Sequence, residues 1–252
     1  MSDFDRNYAA RGIGTAQSAA IDVGLRAYML RIYNYMAAGV ALTGVVAWFT
    51  YMNAAVTDAS GKLVGLTSFG QTIYGGTGMI VLFLGTLGIV FFMSFRINRL
   101  SVSTAALLFL VYAALLGVML SSVFLTYTHG SIARTFFISA APFGALSLYG
   151  YTTQRDLSPV GSFLVMGLFG LILAMVVNIF LKSTGLDFAI SAIGVLIFAG
   201  LTAWDTQKIK EMYDANDDGT VSGRKTVMGA LTLYLDFINL FLFMLRFLGD
   251  RR

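Results

Sequence analysis

The sequence contains no cysteine, a single glutamate and a single histidine, and only 12% of its 252 residues are charged. Without cysteine the chain can form neither a disulfide framework nor a thiolate metal site, and one glutamate with one histidine cannot make a zinc-hydrolase motif. We therefore expect that the protein is not an enzyme and holds no tightly bound cofactor. A soluble domain carries roughly 25% charged residues, so the low charge also argues against a soluble fold.

What the sequence has in excess is apolar residues, which make up 57% of the chain and give a mean hydropathy of +0.77. A helix needs about 20 mostly apolar residues to cross a bilayer. Seven stretches meet this requirement and are separated by polar breaks: residues 27–52, 76–95, 104–125, 132–153, 160–181, 186–208 and 226–248. The sequence therefore predicts an all-α, polytopic membrane protein with seven transmembrane helices in a lipid bilayer.

All seven spans belong to one predicted domain, residues 26–252, because no polar break is long enough to hold a second one. Residues 1–25 are polar and small, without the apolar core and cleavage site of a signal peptide, and we expect them to form a mobile cytoplasmic tail. The 27 glycines are scattered through the spans. Because small residues let helix backbones approach closely in lipid, we expect one compact bundle.

Lysine and arginine are distributed unevenly between the two ends of the predicted spans. If the N-terminus is cytoplasmic, most of them lie inside, and the loops outside carry only Lys62, Arg134 and Lys182. The positive-inside rule therefore favours a cytoplasmic N-terminus. Seven spans leave Arg246, Arg251 and Arg252 outside, against the rule. The alternative is a re-entrant last segment that returns the tail to the cytoplasm.

Residues 214–223 read DANDDGTVSG and resemble the start of a calcium-binding EF-hand loop. Asp214, Asn216 and Asp218 supply oxygen atoms at the first, third and fifth positions, and Gly219 follows. The twelfth position should be a bidentate glutamate, but here it is Lys225. We favour a solvated turn, since Asp-Gly sequences form turns without metal. The second reading is a weak surface site for calcium or magnesium.

Two aspartates lie within predicted membrane helices, where acidic residues are costly and usually functional. Asp205 lies near the inner end of the sixth span, and Asp236 lies ten residues into the seventh. If the two carboxyl groups meet in a low-dielectric bundle, they cannot both ionise cheaply and will share a proton. The alternative is that each pairs separately, Asp205 with Lys208 or an inner arginine and Asp236 with a hydroxyl group.

Four stretches carry a resemblance to a known family: LRIYNYMAAGVALTG, FFISAAPFGALSLYGYTTQRDLSPVGSFLVMGLFG, GLTAWDTQKIKEMY and ALTLYLDFINLFLFMLRFLG. The most specific parts are WDTQ in the sixth span and LYLDFINLF in the seventh. The chain resembles the bacterial branch of the Bax inhibitor-1 family, also called the transmembrane Bax inhibitor motif family. The resemblance extends from residue 25 to the C-terminus.

This resemblance implies a bundle whose last helix is central, with the first six wrapped around it. It implies a di-aspartyl site, Asp205 and Asp236, that gates a pH-sensitive leak across the bacterial inner membrane, with calcium as the transported or transiently bound ion. Family members also have an arginine near the inner end of the second helix that pairs with this site in a closed state. The candidates here are Arg96 and Arg99, and the alternative role of either is an inner-face anchor.

Two other functions compete with the leak. Intramembrane aspartyl proteases also place two aspartates on neighbouring helices, but in a Gly-x-Gly-Asp context, whereas Tyr234 and Leu235 precede Asp236. The other alternative is a non-transporting protein that modulates quality-control proteolysis by contacting a membrane protease or another membrane protein. No basic cluster resembles a nucleic-acid footprint, so we expect no nucleic-acid partner.

Overall fold

The computed structural model describes the backbone of residues 3–59 and 63–252, and the side chains of residues 23–59 and 63–252. Residues 1–25 are predicted to be mobile. Most of their side chains lie outside the described part of the chain, and their mobility stays a prediction. The chain forms helices with one short hairpin, in the order α1 (Asp3–Ala54), β1 (Ala55–Thr57), β2 (Leu63–Leu66), α2 (Ser68–Tyr74), α3 (Gly76–Arg96), a 3₁₀ turn (Ile97–Arg99), α4 (Val102–Leu120), α5 (Val123–Thr126), α6 (His129–Thr152), α7 (Ser158–Leu181), α8 (Thr184–Glu211) and α9 (Gly219–Leu248).

Seven helices in the described part of the chain are long and apolar enough to cross a membrane. They correspond to the seven predicted spans and confirm the predicted fold class. One difference is at the start of the last span, predicted at residue 226, whereas α9 begins at Gly219. The side chain of Asp218 caps this helix by accepting hydrogen bonds from the backbone N–H groups of Thr220 and Val221. Hydropathy detects only the apolar part of a helix, so it misses a polar first turn that is held by a cap.

The last helix, α9, is the central helix of the bundle, as the family resemblance implies. It packs against α1, α4, α6 and α8, and 67% of its most apolar window is buried inside the protein. The corresponding figures for α3 and α7 are 11% and 6%, so these two helices lie on the outside with most of their surface available to lipid. The acidic residue of α9, Asp236, is consequently held among other helices and away from lipid.

The loops divide between two ends of the bundle. We call the end with residues 97–101, 153–157 and 212–218 the inner end, following the side that the positive-inside rule assigns to the cytoplasm. The C-terminus lies at the opposite, outer end, where the backbone N–H of Arg252 donates to the carbonyl of Thr126 and that of Thr128 donates to the carbonyl of Asp250. Because α9 is one unbroken helix between the two ends, the re-entrant alternative is wrong.

The arginines that violate the positive-inside rule have partners at the outer end. Asp187, at the start of α8, forms ion pairs with both Arg246 and Arg251. Arg252 donates to Nε2 of His129 over 2.8 Å and to the hydroxyl of Tyr51. Local pairing and hydrogen bonding therefore accommodate these positive charges outside the predicted cytoplasmic side.

The connection between the first two spans holds a small hairpin that the sequence analysis did not predict. Strands β1 and β2 pair antiparallel with Ala55 opposite Leu66 and Val56 opposite Gly65. Helix α2 follows at once and approaches the end of α1 so closely that a Cβ atom on Gly70 would lie 2.3 Å from the carbonyl oxygen of Ala54. The hairpin and α2 form a small structured cover at the outer end.

Candidate functional site

Asp205 of α8 and Asp236 of α9 come together, as the family resemblance implies. Two contacts set the register of these antiparallel helices: Gly229 lies against Ile209, and Gly194 lies against Phe243. In this register the Cα atom of Asp236 is about 5 Å nearer the outer end than that of Asp205. Side chains of an α-helix tilt toward its N-terminus, which is the inner end for α9 and the outer end for α8. The two side chains therefore lean toward each other, and their carboxyl groups lie within hydrogen-bonding reach of each other.

The pair is secluded from the surface. Asp205 is 9% exposed and Asp236 is 5% exposed. Oδ2 of Asp236 is completely buried and receives no hydrogen bond from an N–H or hydroxyl group of the described residues. Two carboxyl groups can hydrogen-bond to each other only if one of them carries a proton, and a buried carboxylate without donors is costly to ionise. This geometry fits a pair that holds one shared proton.

The separate pairings that were the alternative are not found among the residues that the structure describes. No salt bridge to Asp205 or Asp236 exists within residues 23–59 and 63–252. Lys208, one turn from Asp205, places Nζ over the ring of Trp204 at 4.9 Å from its centroid. Lys210 donates instead to the carbonyl oxygen of Tyr151 over 2.9 Å. The charge of Lys208 still acts on both carboxyl groups through space, but neither lysine forms a salt bridge with them among the described residues.

Close helix packing holds the Asp205 segment of α8 in place. A Cβ atom on Gly150 of α6 would lie 2.0 Å from the carbonyl oxygen of Ala203, and one on Gly161 of α7 would lie 2.1 Å from the ring of Trp204. Both glycines are therefore required for these approaches, as is common where membrane helices pack. The two residues that precede Asp205 are fixed by neighbouring helices, so the position of its carboxyl group is well determined.

The two residues after Asp205 complete the structural role of the WDTQ motif. The hydroxyl of Thr206 is 2.9 Å from that of Ser147, which in turn is 2.6 Å from the hydroxyl of Tyr33. Gln207 holds the α6–α7 loop by accepting from the N–H of Leu157 and donating to a carbonyl of the same loop, each over 2.8 Å. Sequence reasoning missed the hydroxyl chain, because single Ser, Thr and Tyr residues on three distant helices carry no spacing signal.

The two arginines proposed as gate partners lie away from the carboxyl pair. Arg96 ends α3 and Arg99 ends the 3₁₀ turn after it, both at the inner end and both exposed. Neither forms an ion pair with an acidic residue in the part of the chain that the structure describes. In this conformation they occupy positions suited to inner-face anchors, and the salt bridge of a closed state stays a prediction.

The calcium-like loop uses its acidic side chains for local structure. Asp218 caps α9, Asp217 pairs with Lys225, and Asp214 accepts from both the backbone and the side-chain amide of Asn216. These hydrogen bonds, first of all the one from the backbone N–H of Asn216, lower the pKa of Asp214 below its usual value. Within the described residues no group of three or more acidic, histidine or cysteine residues is arranged to hold a metal ion. The weak surface site at Asp214, Asn216 and Asp218 stays a prediction.

Comparison with known proteins matches residues 25–252 to the family model described as inhibitor of apoptosis-promoting Bax1. The chain belongs to the Bax inhibitor-1 family. A relative from Rickettsia prowazekii is 51% identical over 238 residues, which cover 94% of this chain and 95% of that protein. The match to the Bax inhibitor-1 family includes the whole of α8 and α9, and with them the carboxyl pair.

A second relative in the Bax inhibitor-1 family is the inner membrane protein YbhL of Escherichia coli, 46% identical over 231 residues that cover 91% of this chain and 94% of YbhL. A protein of Caulobacter vibrioides is 43% identical over 258 residues and matches along the full length of both chains. The inner-membrane location printed for YbhL agrees with the seven candidate spans found here. This chain is therefore a membrane protein of the Bax inhibitor-1 family.

Proposed function

We propose that this protein is a pH-sensitive calcium leak of the bacterial inner membrane, with its N-terminus in the cytoplasm, in which the protonation state of the Asp205–Asp236 pair controls opening. The observation that carries the proposal is a buried pair of carboxyl groups within hydrogen-bonding reach of each other, one oxygen of which receives no hydrogen bond from an N–H or hydroxyl group of the described residues. A titratable group buried in this way changes its surroundings when it gains or loses a proton.

The pair lies at the junction of the two helices that opening would separate. While one proton is shared, the hydrogen bond joins α8 to α9. When that proton leaves, two adjacent carboxylates repel each other in a low-dielectric site, and the repulsion favours separation of the helices. Two free carboxylates also attract a divalent cation. Because calcium prefers about 6–8 oxygen ligands and the site supplies few, binding is transient, which suits permeation better than storage.

Outward from the pair, aromatic residues close the interface between α8 and α9. The rings of Phe198 and Phe243 are stacked with centroids 5.7 Å apart, and both side chains are buried. An ion that reached the carboxyl pair from the inner end would meet this apolar barrier. In the proposed leak this barrier must open before an ion can pass.

The test is calcium flux into liposomes that contain the purified full-length protein, measured from about pH 6 to about pH 8. The parent is compared with Asp205→Asn and Asp236→Asn. An asparagine amide donates a hydrogen bond to the remaining carboxylate at any of these pH values, so we expect flux that no longer changes with pH. Asp156→Asn, in an exposed inner loop, serves as the control and should keep the pH dependence of the parent.

Two results would contradict the proposal. If flux keeps its pH dependence in both Asp205→Asn and Asp236→Asn, the pH sensor lies elsewhere. The second is a protein whose thermal melting shows that it is folded but which gives no flux at any pH. The remaining function would then be that of a non-transporting partner in membrane proteolysis. In that case, association with a membrane protease, measured for the full chain and for a variant without residues 1–20, becomes the decisive observation.

A further inference from the structure

Between α1 and α6 an apolar groove runs along the side of the bundle that faces lipid. Both helices pack against α9, but the space between them holds two cavities of about 400 and about 610 Å³. Phe143 lines both cavities, so they adjoin. The lining extends along α1 from Arg26 to Val45, which is about 28 Å at 1.5 Å per residue, close to the thickness of the hydrocarbon core.

The inner half of this groove presents an almost wholly apolar wall. Its α1 residues, Arg26, Met29, Leu30 and Tyr33, recur at the spacing of one helix face. The polar atoms of Tyr33 and Ser147 face each other across the groove and are 2.6 Å apart. Because these two hydroxyl groups hydrogen-bond to each other, a molecule in the groove does not have to supply a polar partner for them. The wall therefore suits a hydrocarbon.

One charged side chain lies at the inner mouth of the groove. Arg26 is exposed and has no ion pair with an acidic residue in the part of the chain that the structure describes. Arginine binds phosphate through paired, charge-assisted hydrogen bonds. A guanidinium at the level where the apolar wall ends is complementary to a lipid phosphate whose acyl chain lies in the groove.

We propose that the groove between α1 and α6 binds an anionic phospholipid of the inner leaflet, with one acyl chain along the groove and the phosphate on Arg26. The guanidinium at the end of an apolar wall favours a lipid over a protein helix, because it matches a phosphate that is followed by a hydrocarbon chain. This site is distinct from the carboxyl pair, and its test needs no transport.

Two substitutions test the site from opposite ends. Arg26→Gln removes the charge at the mouth. Gly144→Leu fills the groove, because a Cβ atom on Gly144 would meet no atom within 4 Å and the larger side chain can enter the empty space. Arg31→Gln is the matched control for the first, as Arg31 is exposed on the same helix outside the groove lining. Gly170→Leu is the control for the second, since Gly170 is equally open but lies on α7.

The measurement is native mass spectrometry of the full-length protein in detergent, titrated with phosphatidylglycerol or with phosphatidylcholine of the same acyl chains. We expect one tightly bound phosphatidylglycerol per chain and weaker binding of phosphatidylcholine. Arg26→Gln should weaken phosphatidylglycerol binding about fivefold, the effect of one arginine at a membrane surface. Gly144→Leu should abolish tight binding of both lipids, and the two controls should bind as the parent does.

Thermal melting confirms that each variant is folded before its affinity is interpreted. The proposal is overturned if Gly144→Leu binds phosphatidylglycerol as the parent does, or if Gly170→Leu weakens binding equally. It is also overturned if the parent forms dimers without lipid and Gly144→Leu abolishes them, since the occupant of the groove would then be a second copy of the chain. None of these results depends on whether the protein conducts calcium.

Discussion

The ring of Phe243 in α9 lies so close to Gly194 in α8 that a Cβ atom on residue 194 would be 2.4 Å from it. The absence of a side chain at Gly194 thus allows an aromatic ring to fill the interface between the two helices. The same ring stacks with Phe198, outward of the carboxyl pair. Packing on this side of Asp205 and Asp236 therefore depends on one glycine and two phenylalanines.

Gly194→Leu should destabilise the protein, because the added side chain displaces Phe243 and separates α8 from α9. Overpacking of a buried site costs about 1–3 kcal/mol, which lowers the melting temperature of the purified protein in detergent. Gly170→Leu adds the same side chain where nothing lies within 4 Å and should melt as the parent does. Equal melting temperatures for the two variants would mean that the interface adapts without strain.

Phe243→Ala should increase calcium flux in liposomes, since it opens a space in the apolar barrier between the carboxyl pair and the outer end. Removal of a buried phenylalanine ring also costs about 3–5 kcal/mol of stability, so only folded protein is compared. Phe180→Ala removes a ring that is 81% exposed on the lipid-facing surface and should leave flux unchanged. An equal flux in both variants would show that the Phe198–Phe243 stack is no barrier.

Asp236→Asn should raise the thermal stability of the protein while it removes pH sensing. The asparagine amide donates to the carboxyl group of Asp205 without the need for a shared proton, and one buried charge is avoided. The expected gain is about 1 kcal/mol, seen as a higher melting temperature at about pH 8. A lower melting temperature for Asp236→Asn would mean that the carboxyl pair stabilises the fold more than a neutral substitute does.

Asp218→Ala should destabilise the inner end of α9, because this side chain accepts hydrogen bonds from the backbone N–H groups of Thr220 and Val221. Loss of such a cap costs about 0.5–2 kcal/mol. Asp218→Asn retains a good capping residue and should recover most of the loss, whereas a metal-ligand role would not tolerate this change equally well. Hydrogen exchange of the backbone amides of residues 219–223 reports the effect locally.

Asp156, in an inner loop outside the membrane spans, should make the stability of the protein slightly dependent on pH. The backbone N–H of Ser158, followed by its hydroxyl, donates to this carboxylate and lowers the pKa of Asp156 below its ordinary value of 3.8. A lowered pKa in the folded state means that the stabilisation is fully present above 3.8 and is lost as the pH falls through the folded value. Asp156→Asn should therefore flatten the acid end of the melting-temperature profile below about pH 4. An unchanged profile would show that the loop does not influence global unfolding.

Much of the fold could be predicted from the sequence, because a bilayer imposes length and polarity on each span. The seven spans are examples. The start of α9 at Gly219 could not be predicted from hydropathy, since the polar first turn depends on a cap. The hairpin at residues 55–66 was missed because strands this short carry too few residues to show alternation.

The candidate site was predictable in part. Asp205 and Asp236 stand out because acids are rare at membrane depth, and the family resemblance assigns them to one site. Their spacing in the sequence did not decide whether the two carboxyl groups meet, because the depth of each residue in the membrane depends on where its helix begins. The hydroxyl chain of Tyr33, Ser147 and Thr206 was missed, because each residue is ordinary in its own helix and only the packing brings the three together.

What the sequence determined by itself is the number of spans, the all-α class and the identity of the two buried acids, since the cost of placing polar groups in lipid acts on each segment separately. The tertiary structure decided which helix lies at the centre, that the two acids meet, and where a groove remains open to lipid. Those features depend on the register between helices. Register is decided by contacts between residues far apart in the chain, such as Gly194 with Phe243 and Gly161 with Trp204, and no local pattern encodes it.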